Sequence, residues 1–178
     1  MSQLITDEFG FISSQELQVP RGRKNLSPIR LDLTDVSRAE SRISEIARAT
    51  PIMLPDLITC YTVGLASLAK VIAIVEMESK VAKMELETAE ATFTLDFAEG
   101  VLAKKGIKSS VDARQHACRL DPAVREFQEK LDILSTTLTY LYNKKSAIEM
   151  AYHGCKKVCD VYLKQPGGPV YGGGNGEE

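Results

Sequence analysis

From Asp56 to about Lys105, side chains of one character recur at alternating intervals of four and three. Tyr61, Leu65, Leu68, Ile72, Val75, Ala82, Leu86, Ala89 and Phe93 fall on one stripe, with Ser79 as its polar member. Residues three and four apart share a helical face, so the spacing predicts a single long amphipathic helix. At 1.5 Å per residue such a rod extends about 75 Å. It can bury its stripe only against another rod, from the same chain or from other subunits.

A second stripe supplies a candidate. Val124, Phe127, Leu131, Leu134, Leu138, Leu141, Ile148, Tyr152, Cys155, Cys159 and Tyr162 keep nearly the same period and predict a helix from Pro122 to Leu163. Lys145 interrupts that face, where a long side chain can turn its ammonium outward. Local signals fix the ends. Gly106 stops the first rod, after Lys104 and Lys105 in its last turn; Asp121 is an N-cap with Pro122 at the first helical position. Ser110 caps a short helix between the rods. Ser37 and Glu40 read as a capping box for another short helix that ends before Pro51.

The flanks lack this order. The first thirty-odd residues carry the basic run RGRK (Arg21 to Lys24) between Pro20 and Pro28, and the tail QPGGPVYGGGNGEE is too rich in glycine and proline to continue a helix. Three segments result: an N-terminal arm over 1–34, a helical domain over 35–164 and a Gly-rich tail over 165–178. The fold class predicted is all-α, with two long amphipathic helices in a hairpin-like or extended arrangement, plus short helices. Such rods are expected to assemble into an oligomeric bundle or ring.

Length and composition agree with one domain: 178 residues, 44% of them apolar. Lys70, Glu76, Glu78 and Lys80 interrupt the longest apolar run, so no segment is expected to cross a membrane. MSQLITDEFGF has no basic start followed by an apolar stretch, which speaks for a cytoplasmic setting. Cys60, Cys118, Cys155 and Cys159 lack the paired short spacings of a zinc module and read as reduced, packed cysteines.

Charge changes the picture more. The net charge of -2 hides a division: residues 51–100 hold three basic against eight acidic residues, and 101–164 hold twelve against seven. Lys144, Lys145, Lys156 and Lys157, joined by Arg114, Arg119 and Arg125, form a basic set that copies of the chain can multiply into a phosphate-binding surface. Tyr152 and Tyr162 fit the apolar seam better than base stacking.

Other chemistry finds little support. In YHGCKKVCD, Cys155 and Cys159 lie one turn apart, but His153 points well away from both, so no metal site is predicted. No nucleophile, base and orienting acid occur at diagnostic spacings, and GGPVYGGGNG lacks the lysine and Ser/Thr of a phosphate loop. The chain is expected to be no enzyme and to need no cofactor.

KVAKMELETAEATF, SSVDARQHACRLDPAV and LTYLYNKKSAIEMAYHGCKKVC, in this order within roughly residues 65–164, resemble the recombination mediator of T-even-type bacteriophages. The resemblance implies a homo-oligomer that binds single-stranded DNA and helps load a RecA-like recombinase onto DNA coated by the single-strand-binding protein. It implies the host cytoplasm as the setting if the chain is phage-encoded. The C-terminal helix would then supply assembly contacts through Leu131, Leu134, Leu138, Leu141, Ile148, Tyr152, Cys155, Cys159 and Tyr162. The family's Lys-x-Arg-Leu stretch corresponds to Lys83-Met84-Glu85-Leu86, with Glu85 where the family has a basic residue. DNA contacts are accordingly expected from Lys80 and Lys83, or from Arg114, Arg119, Lys144, Lys145, Lys156 and Lys157. The competing expectation is a helical scaffold or virion assembly subunit that binds no nucleic acid.

Overall fold

The computed structural model of the chain describes residues 3–6, 10, 12–21 and 25–164. Its first elements are strands. β1 (Gln3–Thr6), β2 (Ile12–Arg21) and β3 (Asn25–Asp32) form an antiparallel meander with β2 in the middle. The register sets Gln15 opposite Leu31 and Leu17 opposite Ile29, so these four share a face, while Glu16 and Arg30 oppose each other on the other. Leu17 and Leu31 are buried, and Arg30 Nε reaches Glu16 at 3.1 Å.

The all-α expectation therefore holds from α1 onward and is corrected for the N-terminal segment, which is a sheet rather than an arm. Its prolines look like breakers but occupy tolerated places. Pro28 lies on the edge strand β3, and Pro20 lies past Glu16, the farthest residue that β1 pairs. Residues 22–24 of the RGRK run and the tail 165–178 lie outside the described residues.

α1 spans Thr34–Ser41. Ser37 is not its cap: it sits inside the helix, buried, and Asp32 holds the entry by accepting from the Thr34 amide at 3.0 Å and the Thr34 hydroxyl at 2.7 Å. A 3-10 helix, Ile43–Arg48, leads to α2 (Leu54–Thr92), which continues through a π-helical turn (Phe93–Phe97) into α3 (Ala98–Lys104). The first rod thus forms as predicted, and Gly106 ends it at φ +67°. The Gly106 amide donates to Ala103 O and the Ile107 amide to Leu102 O, the paired bonds of a glycine-terminated helix.

α4 (Val111–Arg119) is capped by Ser110 Oγ, which accepts from the Ala113 amide at 3.1 Å. α5 (Pro122–Leu163) starts at Asp121, whose Oδ1 accepts from the Ala123 and Val124 amides. Both caps match the sequence.

Lys130 meets Glu85 and Tyr142 meets Glu76, so α2 and α5 run antiparallel along their lengths. Leu57, Tyr61, Leu68, Val75 and Ala82 of α2 close on Leu134, Leu141, Ile148, Ala151 and Cys155 of α5, and Leu17, Leu31, Leu33 and Val36 extend this core beneath the sheet. Each fully buried leucine contributes about 1.5–3 kcal/mol. Leu86, Phe93, Ala98, Cys118 and Val124 form a second, smaller core at the far end.

The seam expected to join subunits is consumed inside one chain. Leu134, Leu141, Ile148 and Cys155 are fully buried, and Leu131, Leu138, Tyr152, Cys159 and Tyr162 pack partly buried against the same core. A further correction concerns apolar length. Leu54–Lys104 is long and apolar enough, by length and composition only, to cross a membrane, because α2 carries apolar side chains on more than its buried face.

Candidate nucleic-acid interface

The eight cations expected to contact DNA separate into three groups. The first lies on the second half of α5. Lys144 is only 10% exposed, ion-paired with the equally sheltered Glu40 of α1, with its ammonium 4.9 Å from the Tyr140 ring. Its charge is neutralised inside the α1–α5 contact, which removes it from any DNA surface. Lys145 turns its ammonium outward, as its place on the stripe predicts, to Glu149 at 3.7 Å, a weak pairing one turn along. Lys156 and Lys157 are exposed, and the Lys156 ammonium stands 4.4 Å above the Tyr152 ring. Lys145 and Lys156 are eleven residues apart, close to three turns, and recur on one side of the helix. Lys164, exposed just past the helix end, continues this run and was readable in the sequence as the last lysine before the tail.

The second group, Lys80 and Lys83, lies midway along α2. Both are exposed, and Lys83 stands 4.0 Å from Glu87. Between them and α5 lies the reason for the acidic residue in Lys83-Met84-Glu85-Leu86. Glu85 Oε2 accepts from the Lys130 ammonium at 2.6 Å, and Lys130 is 2% exposed. The carboxylate is the counter-ion of a buried lysine, so this position acts within the fold. The signal was available: Lys130 lies four residues before Leu134, on the buried stripe, and a lysine there needs an acid on the facing rod.

The third group, Arg114 and Arg119, belongs to the far end. These residues line a groove with Glu87, Glu90 and Cys118, where acidic and basic groups balance. Along α5, Pro122 and Lys156 are separated by about 50 Å. The eight positions do not converge on one patch; of them Lys156 and Lys157, continued by Lys164, stand exposed on the second half of α5, with Lys145 half-buried three turns before.

The cysteines are free thiols. Burial pushes the thiols of Cys60, Cys118 and Cys155 above the usual range, which keeps them protonated and weakly nucleophilic. Among the described residues no group of three His, Cys, Asp or Glu side chains is placed to hold a metal ion. His153 stands exposed, edge-on to Tyr152 at 5.5 Å between ring centroids. Near the α2 start, Arg42 donates to Glu45 at 2.9 Å and to Asp56 at 2.6 Å, while its carbonyl accepts from the Tyr61 hydroxyl at 2.9 Å. Hydrogen bonding to Glu45, then to Asp56, holds that guanidinium in its charged form. This corner is structural, tying the 3-10 helix to α2.

No protein-family model matches the chain, and neither does any curated protein or solved structure.

Proposed function

We propose that the protein is a non-enzymatic recombination mediator that holds single-stranded DNA by its phosphate backbone and assists the loading of a RecA-like recombinase. The observation that carries this is the basic set on the second half of α5, exposed Lys156 and Lys157 with half-buried Lys145 three turns before, within the segment whose residues resemble the mediator family. A helix that presents cations at near-integral turns follows a phosphate chain without reading bases, and copies of the chain multiply the contacts. The role needs no covalent step. Lys144 and Glu85 have no part in it, since each is engaged inside the fold.

Titration of labelled oligothymidine by fluorescence anisotropy tests it. Binding is expected to weaken steeply with salt, and Lys145→Ala, Lys156→Ala and Lys157→Ala together are expected to reduce the slope of log affinity against log salt by about 2. Absence of binding at low salt, or binding untouched by the triple substitution, would sink the mediator role.

A second function has its own support. The paired Lys144 and Glu40, the mixed charge of the far-end groove and the apolar side chains left outside on α2 suit a helical scaffold or virion assembly subunit. No DNA affinity in the same titration, together with self-association by sedimentation, would favour it.

A further inference from the structure

α2 carries a second apolar stripe that the chain leaves uncovered. Ile74, Val81 and Thr88 repeat every seven residues, and Met77, Met84 and Ala91 follow each by three. All six stand outside the buried core, the large ones exposing from 43% to 67% of their surface. At 100° per residue, this stripe lies about 150° around the helix from the stripe that meets α5. Four large, exposed apolar side chains on one face over about three turns mark an interaction site rather than scatter. The π-helical turn at Phe93–Phe97 shifts the phase and ends it.

We infer that a second copy of this chain packs on this stripe in parallel, making α2 the central seam of a dimer. Three features select that occupant. β-Branched side chains recur at the first heptad position, Ile74, Val81 and Thr88, as in two-stranded parallel coiled coils, with Met77 and Met84 where those coils carry leucine. Charge agrees. In a parallel pair, Lys80 of one copy faces Glu85 of the second, five residues on, and the same contact repeats in reverse. The neighbouring cross-pairs are Ala73 with Glu78 and Glu87 with Thr92, so no like charges meet, whereas an antiparallel pair sets the edge carrying Glu78 and Glu85 against itself. Lys80 has no ion pair among the described residues, and Glu85 remains 40% exposed while holding Lys130. Against lipid stands the polar boundary: residues 74–91 carry five glutamates and two lysines, the reverse of a helix that lies on a membrane. The dimer depends on none of the proposed DNA contacts.

Sedimentation equilibrium of the whole chain tests this. The expected mass is twice 19.6 kDa or an even multiple of it, and Met77→Lys with Met84→Lys is expected to halve it without changing the far-ultraviolet circular dichroism. As a second measurement that does not rely on a disruptive variant, Val81→Cys under mild oxidation is expected to give a disulfide between the two copies of position 81, mapped by mass spectrometry. A monomeric wild type, a mass unaffected by the double substitution, or cross-links from position 81 to other positions would each overturn the inference. So would flotation of a monomeric wild type with anionic lipid vesicles, lost in the double variant, which would assign the stripe to membrane.

Discussion

An ammonium taken out of water loses several kcal/mol of hydration, and Lys130 regains it chiefly from one oxygen of Glu85 at 2.6 Å. The two partners are unequal, since Lys130 is almost fully enclosed while Glu85 keeps access to solvent. Removing the acid strands a buried charge, whereas removing the lysine leaves a carboxylate that water can reach. Glu85→Ala is therefore expected to lower stability by about 3 kcal/mol and Lys130→Met by less than about 1 kcal/mol, measured by urea denaturation. Equal losses would show that the pair is not the source of the effect. Tyr61, near the start of α2, sets an alkaline limit. Burial pushes its phenol up to about 12, above the ordinary value near 10. Below pH 10 both folded and unfolded chains keep it neutral; between about 10 and 12 only the unfolded chain ionises, so its contribution is lost across that window. Tyr61→Phe is expected to reduce the slope of stability against pH there and to cost about 1 kcal/mol at neutral pH through the lost bond to Arg42 O. The slope does not vanish, because the hydrogen bond to Glu76 raises Tyr142 as well.

Between elements, α1 crosses α2 closely at Gly64. A Cβ on Gly64 would lie 2.6 Å from Ala39 Cβ and 3.2 Å from the Asp35 carbonyl oxygen, both on a neighbouring helix that cannot yield without moving as a unit. Gly154 of α5 has room, with Ile46 Cγ2 of the 3-10 helix at 3.7 Å. Gly64→Ala is expected to destabilise by about 1–3 kcal/mol, and Gly154→Ala to be neutral or to gain up to about 1 kcal/mol from helix propensity. Thermal unfolding of the two variants separates them. What could be read from sequence at this scale follows the range of the forces involved. Ser110, Asp121 and Gly106 act on backbone groups within a few residues, and their chemistry announces itself. Ser37 carries the letters of a cap but lies inside α1, because Asp32 and the packing of Val36 and Ala39 fix where that helix begins. Similarly, one residue is 100° of helix, and it is Lys144, not Lys145, that turns into the fold to meet Glu40. The sheet was hidden because its alternation is brief and its two prolines are tolerated only by strand order, a property of pairing rather than of local sequence.

At the scale of the molecule, α2 has two apolar faces, and the first stripe found in the sequence masked the second. Helical phasing predicts that a stripe needs a partner but not which partner, since that depends on chain reversal through α4. Once α5 covers one face, the face bearing Ile74, Met77, Val81 and Met84 is left for another copy, and mass action then links stability to concentration. A tenfold rise in concentration stabilises a dimer by about 1.4 kcal/mol, or about 0.7 kcal/mol per chain. With an unfolding entropy of about 2.1 cal/mol/K per residue, a chain of 178 residues unfolds with about 0.37 kcal/mol/K, so Tm is expected to rise by about 2 °C per tenfold. The variant with lysine at 77 and 84 is expected to melt at one temperature regardless of concentration, because its two new charges stay hydrated only when α2 stands alone. Calorimetry over a hundredfold range of concentration distinguishes the two behaviours: a wild-type Tm that does not move would mean that the uncovered face of α2 contributes nothing to assembly.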